Sequence, residues 1–203
     1  MNKSYSHEKQ DLFVESLLPI SKGFFLDVAC GNAIVGSNTY LLESEYQWTG
    51  LGFDLHQPFQ EPWLKSRSSK FFLADATSID FVNILKSEVK DGMIDYLSLD
   101  VDVGGYREAN LSHLVLPRIL EAGISFKCAT IEHESFKYGP QGRDSMRKVL
   151  LDLGYKMLFE GVKFPNGQEF EDWWIDPRYF SQEVIAKASS GVTYEEAISI
   201  LKK

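Results

Sequence analysis

Short apolar runs alternate with amphipathic segments along most of the chain. Gly23-Phe-Phe-Leu-Asp-Val-Ala29, Trp48 to Asp54, Lys70 to Ala74, Ile94 to Asp100 and Ser125 to Ile131 each read as a strand. Their near-continuous apolar character is that of strands covered on both faces. Helical patterns lie between them: about Ser37 to Glu43, Ser78 to Val89, Arg107 to Ala122 with Pro117 inside, and a stretch whose Met146, Val149, Leu150 and Leu153 share one face before Gly154. HQPFQEPWLKSR, with two prolines, reads as a loop with one helical turn. Such alternation predicts a parallel sheet joined by crossover helices.

The two ends of the chain follow other patterns. HEKQDLFVESLLP reads as a helix stopped by Pro19, because the residue before a proline is disfavoured in the α region. Tyr155 to Val162 and Glu169 to Ile175 flank Asn166-Gly167, a turn signal for an antiparallel hairpin. The same alternation puts Trp173 and Trp174 on opposite sides of a strand, so at least one is expected outside the main core. Thr193 and Glu196 have capping-box spacing ahead of a helix with an apolar stripe of Tyr194, Ala197, Ile198 and Leu201. The expected architecture is α/β, a Rossmann-like three-layer sandwich whose mostly parallel sheet has seven strands and ends in a C-terminal antiparallel hairpin. It forms a single domain over 1–203, with an N-terminal helix in 1–21, the core in 22–180 and a helical tail in 181–203.

Length and composition agree with one packed domain. The chain has 203 residues, 44% hydrophobic and 25% charged, so it buries a core without metal or disulfide staples. Its 29 acidic and 21 basic side chains leave a net charge of -8, which repels a phosphate backbone and speaks against nucleic acid as partner. Cys30 and Cys128 show no CxxC or Cys/His metal spacing, which fits a reducing compartment and argues against zinc. No run approaches the roughly 18 apolar residues of a membrane span. The expectation is a cytoplasmic protein with no membrane partner and an oligomeric state left open.

In an open parallel sheet, ligands bind beyond the carboxyl ends of the strands. Reading those ends gives Asp27, Asp54, Asp75, Asp100 with Asp102, and Glu132 with His133. The first strand runs into Cys30-Gly-Asn-Ala33, whose Gly31 lets a ligand approach the backbone. The turn has neither the P-loop lysine nor GxGxxG, so a pyrophosphate site is poorly supported. Asp54, on the second strand, stands where an acid reaches a ribose diol. Taken singly, each has a plainer role: Gly31 as a turn residue, Asp75 as a helix cap. Successive strands ending in acid are less easily explained by capping.

With these residues on view, the chain resembles the class I S-adenosylmethionine-dependent methyltransferases, and more narrowly the FkbM-like small-molecule methyltransferases. The resemblance rests on GFFLDVACGNAIVGSNTYLLE with WTGLGFD, on FFLADAT, on IDYLSLDVD and on TIEHE, and it covers roughly 22–180. It implies that Asp27, Ala29 and Gly31 surround the methionine part of S-adenosyl-L-methionine, that Asp54 binds the ribose, and that Asp75 with Ala76 binds the adenine. Asn38 would reach the amino-acid carboxylate, and Asp100 would meet both cofactor and substrate. Ala33 departs from the pattern, standing where many members have a second glycine.

The implied reaction is O-methylation of a small hydroxylated acceptor, a sugar or secondary metabolite. In-line methyl transfer asks the protein mainly to position the nucleophile, and positioning supplies ~7 to 11 kcal/mol. The acceptor's proton must also be removed. His133 is the first-choice general base, with Asp102 beside it as the second catalytic candidate. The other device is Mg2+ or Mn2+ held by Asp100, Asp102 and Glu132, acting as a Lewis acid. Asp100 and Asp102 share a face if their strand continues past Leu99. Tyr138, Arg143 and Arg147 are candidates for holding a substrate, whereas His56 and His113 read as surface residues. Two other classes compete: a non-catalytic cofactor-binding module or partner subunit, and a metal-dependent hydrolase.

Overall fold

The computed structural model describes residues 3–19, 21–103 and 109–203. Helix α1 (Gln10–Leu17) precedes β1 (Phe24–Val28), and α2 (Tyr40–Tyr46), β2 (Thr49–Asp54), α3 (Gln57–Ser66), β3 (Lys70–Leu73), α4 (Phe81–Glu88) and β4 (Met93–Leu99) follow in strict alternation. A two-stranded ribbon of β5 (Asp102–Val103) and β6 (Ala109–Asn110) leads into α5 (Ser112–Glu121) and β7 (Ser125–Glu132). Helices α6 (Ser135–Tyr138) and α7 (Gln141–Asp152) then bring the chain to β8 (Lys156–Lys163) and β9 (Glu169–Ile175). The tail carries α8 (Gln182–Ile185), β10 (Ser189–Ser190) and α9 (Tyr194–Leu201).

The main sheet has the order β10-β8-β9-β7-β4-β1-β2-β3. Only β9 runs against its neighbours, pairing antiparallel with β7 and β8. The sheet is therefore the expected mostly parallel one with its antiparallel hairpin, and the two-residue β10 makes eight strands rather than seven. Strand order reverses between β1 and β4, which share the register Asp27 to Ser98. That junction is where such a sheet opens a ligand crevice.

Both faces of the sheet are covered. Helices α4, α5 and α7 pack Phe81, Leu85, Val115, Ile119 and Leu150 onto one side. On the other, α1, α2, α3 and α9 pack Phe13, Leu42, Trp63 and Ile198. Trp174 enters the first layer and Trp173 the second, both at most 1% exposed. The expectation that one of the pair lies outside the core is thus corrected: the hairpin is covered on both faces, so alternation carries each indole into a core.

Three other local readings change. The segment expected as a loop forms the ten-residue helix α3. Pro58 lies in its first turn, where a missing N–H costs nothing, and Pro62 is offset by the complete burial of Trp63. Helix α2 begins at Tyr40 rather than Ser37, because Ser37 Oγ accepts the Thr39 and Tyr40 amides ahead of it. Helix α5 starts at Ser112, and part of its earlier expected start lies outside the described residues.

Candidate active site

The loop between β1 and α2 is held from three directions. Ala29 takes a left-handed backbone at φ +61° and Gly31 at φ +60°, a conformation costing about 1–2 kcal/mol for a residue with a Cβ. The strain at Ala29 is held by β2, whose Phe53 carbonyl accepts both the Ala29 and the Cys30 amide at 2.8 and 3.1 Å. Asp54, the last residue of β2, accepts Gly31 N at 2.9 Å and His56 N at 2.7 Å, one on each oxygen. Each carboxylate oxygen retains a second lone pair. Asn32 closes the following turn by accepting the Ile34 and Val35 amides.

Below the loop, Asp27 accepts from Thr39 Oγ1 at 2.7 Å. Burial raises its carboxyl above the usual range, against the opposing pull of Thr39 and the Arg67 guanidinium. Arg67 is the loop's fixed point. Its side chain is 0% exposed, ion-paired to Glu43 at 2.6 Å, and lies 4.2 Å from the ring centroid of Trp63. It donates to Ala33 O, Ser37 Oγ and Thr39 Oγ1. Ala33 does not need glycine's freedom, because its φ is not in the left-handed region, and Arg67 holds its carbonyl. Asn38 is placed in the same loop, with Oδ1 accepting from Ser6 and Nδ2 donating to Ser98.

A second group gathers at the ends of β4 and β7. Strand β4 stops at Leu99, and Asp102 belongs to the separate ribbon β5. The continuous-strand argument for Asp100 and Asp102 is thereby corrected. The turn nevertheless brings Asp100, Asp102 and Glu132 together, each offering a carboxylate oxygen within 4.8 Å of the others. Burial, then the neighbouring Asp102, pushes Asp100 up to about 7, while burial and Asp100 push Glu132 well above the carboxylate range. Asp100 Oδ1 is buried without a hydrogen-bond partner among the described residues. Glu134 follows at φ +38°, its Oε2 buried without a hydrogen bond and facing Lys137 Nζ at 3.9 Å. Glu171, directly across from Glu132 in the β7–β9 register, is buried and raised by the same causes.

The remaining candidates sit apart from these two groups. His133 is 3% exposed, its Nδ1 accepts from Ser135 N, and its Nε2 faces Asp172 at 3.8 Å. Arg147 grips Asp172 with two donors at 2.8 Å and Glu160 with a third. Arg143 turns to Asp144 and Ser135. Asp75 folds onto Thr77, accepting both its amide and its hydroxyl, and the cap of α4 is Asp80 instead. Ala76 packs its side chain into the core. Arg67, Thr39, Ser98 and Glu171 were missed from the sequence. Only the i, i+4 spacing of Trp63 and Arg67 carried any local signal.

No protein-family model and no curated protein matches the chain. Solved structures do. A TehB-like SAM-dependent methyltransferase from Corynebacterium glutamicum is similar at 17% identity and a TM-score of 0.56, over 86% of this chain and 88% of that one. A Streptococcus mutans protein described as a methyltransferase, in complex with SAH, is 14% identical with a TM-score of 0.53, over 86% of this chain and 99% of that one. An rRNA methylase from Streptococcus thermophilus is 14% identical with a TM-score of 0.52, over 86% and 98%. With strand order, antiparallel β9 and these likenesses together, the chain has the fold of the class I S-adenosylmethionine-dependent methyltransferases.

Proposed function

We propose that this protein transfers a methyl group from S-adenosyl-L-methionine to a hydroxyl of a small acceptor, within the FkbM-like branch. One observation carries the cofactor assignment: Asp54 ends β2 bridging the Gly31 and His56 amides, with lone pairs left for a ribose diol. Its neighbours suit a nucleoside. Leu55 and Leu73 present exposed apolar side chains beside Asp54 and Asp75, and a bound sulfonium or ammonium would draw the raised carboxyls of Asp27 and Asp100 towards their charged form. When bound, the cofactor supplies an electrophilic methyl group.

The chain's own task is then to orient the acceptor and remove its proton. Asp102 is the base in this mechanism: it is exposed to an incoming acceptor, its carboxyl is raised by desolvation on its inner side, and Asn110 Nδ2 steadies it at 3.2 Å. His133 is replaced in that role, because its imidazole is buried against Asp172. In the alternative device Mg2+ or Mn2+ would be held by the oxygen donors of Asp100, Asp102 and Glu132, of which Asp100 Oδ1 is buried without a hydrogen-bond partner; it would act as a Lewis acid on the acceptor oxygen, with Asp102 then a ligand rather than the base. The acid-rich edge and net charge of -8 favour a neutral or cationic small molecule over RNA.

Calorimetric titration with S-adenosylhomocysteine is expected to show saturable binding, and none at millimolar ligand would remove the cofactor assignment. Methylation of small hydroxylated compounds should exceed that of RNA. Activity untouched by EDTA would dispose of the metal.

A further inference from the structure

The segment ahead of α1 touches both halves of the site. Asp11, buried in the first turn of α1, accepts Ser4 Oγ at 2.6 Å, Tyr5 N at 2.7 Å and Ser6 N at 3.3 Å, which folds the segment back over the helix start. Folded in this way, it lies on the β1–α2 loop. Gly36 N donates to Tyr5 O at 2.8 Å, Ser6 and Gly36 form a parallel backbone bridge, and the Tyr5 and Tyr40 rings meet edge-on at 4.8 Å. Gly36 has φ +80°, and a Cβ there would come within 2.4 Å of the His7 ring. Only glycine admits this contact.

From that bridge a chain of polar contacts runs in two directions. Ser6 Oγ donates to Asn38 Oδ1 at 2.8 Å, and Asn38 Nδ2 donates to Ser98 Oγ at 3.1 Å, beside Asp27 in the β1–β4 register. In the other direction, Gln10 sets its Oε1 against Ser6 Oγ and donates from Nε2 to Glu171 Oε2 at 3.3 Å. Glu171 also accepts from Trp173 Nε1 and lies across from Glu132. A hydroxyl carries one proton, so Ser6 Oγ divides it between Asn38 Oδ1 and Gln10 Oε1, and Gln10 N donates back to Ser6 Oγ at 3.2 Å, which couples the two contacts. Lys9, at the start of α1, is held at φ +64° between these contacts.

We propose that Ser6 and Gln10 are positioning residues of the methyl-transfer site. Ser6 sets Asn38 and the cofactor loop, Gln10 sets Glu171 against the acid cluster, and one N-terminal segment thereby registers the cofactor half against the acceptor half. The proposal rests on the proposed function for its consequence in cofactor binding, but its geometry is tested without ligand.

The experiment uses the full chain with Ser6→Ala, Ser6→Thr and Gln10→Ala, read by amide hydrogen exchange and by calorimetry with S-adenosylhomocysteine. Ser6→Ala should accelerate exchange locally in 35–40, and Gln10→Ala in 130–134 and 170–173, with the central strands β1 and β4 unchanged. Ser6→Ala should weaken S-adenosylhomocysteine about tenfold, the scale of one lost buried hydrogen bond, and Ser6→Thr should restore it. Gln10→Ala should leave that affinity within about twofold. Unchanged exchange in 35–40, a uniform acceleration across the sheet, or full affinity in Ser6→Ala would overturn the positioning role. If the wild-type chain binds no S-adenosylhomocysteine, the proposed function fails instead, and the exchange pattern alone decides whether Ser6 and Gln10 set the two halves.

Discussion

Asp54 and Arg67, two buried groups that hold the β1–α2 loop from outside it, differ in how visible they are in the sequence. Asp54 closes a strand, and the position itself marks it as a candidate for a ribose. Its two oxygens hold Gly31 and His56, so Asp54→Ala should both loosen the loop and remove an acceptor. We expect S-adenosylhomocysteine affinity to fall at least tenfold, from hydrogen bonds worth about 1.5–3 kcal/mol each at a charged acceptor, and unchanged affinity by calorimetry would sink the ribose assignment. Arg67 closes no strand and has no motif. Its role arises from β1, the β1–α2 loop, α2 and α3 meeting around it, and Arg67→Met should cost roughly 3–5 kcal/mol by leaving Glu43 uncompensated. Pairing it with Glu43→Leu should return much of that loss in urea denaturation, because the orphaned charge is gone.

At the scale of elements, periodicity and turn chemistry predicted most of what formed. The parallel strands, the hairpin around Asn166-Gly167 and the capping box of α9 are local features with local causes. Thr193 accepts Glu196 N at 3.3 Å and Glu196 returns a bond to Thr193 N at 2.8 Å. Thr193→Ala is expected to destabilise by about 1 kcal/mol, visible as a lower thermal midpoint. A fall beyond what one cap supplies would mean that α9 also anchors α1 through Lys9 and Glu195. Helix α3 was misread because proline was weighed as a breaker. Pro58 sits where a helix tolerates it, and the energy that holds Pro62 in place comes from a tertiary contact, the buried Trp63. The β5–β6 ribbon was missed for a similar reason: nothing in Asp102 or Val103 says that a strand has ended and another begun.

Across the whole molecule, the buried charges give stability a pH dependence whose sign is set by environment. Asp172 is buried, which alone would raise its carboxyl, yet His133 and the Arg147 fork hold it at about 2. A depressed carboxyl contributes stability that is present above its unfolded value of about 3.9 and lost as pH falls towards 2, worth about 2.5 kcal/mol at full strength. Acid denaturation should therefore steepen between about pH 4 and 2, and Asp172→Asn should flatten that limb. A pH profile that Asp172→Asn leaves unaltered would remove Asp172 from the account. The sequence offers His133 as the first-choice base from residue type and strand position alone. It does not see that Asp172 and Arg147, from β9 and α7, reach the same spot.

The division between sequence and structure follows range. The amino-acid sequence by itself determined the alternation of strands and helices, the hairpin, the caps and the row of acids at the strand ends, since each is set by neighbours a few residues away or by the two-residue and 3.6-residue periods. It also determined that one edge would carry Asp27, Asp54, Asp100 and Glu132, because parallel strands all end on the same side. Only the tertiary structure decided which of these acids stay solvent-exposed, as Asp75 does, and which are buried against one another, as Asp100 and Glu132 are, because that depends on segments brought from far along the chain. It placed Arg67 and Ser6 against the β1–α2 loop and Gln10 against Glu171, contacts of 28 to 161 residues' separation. Such contacts form when the sheet closes, and no pattern along the chain encodes them.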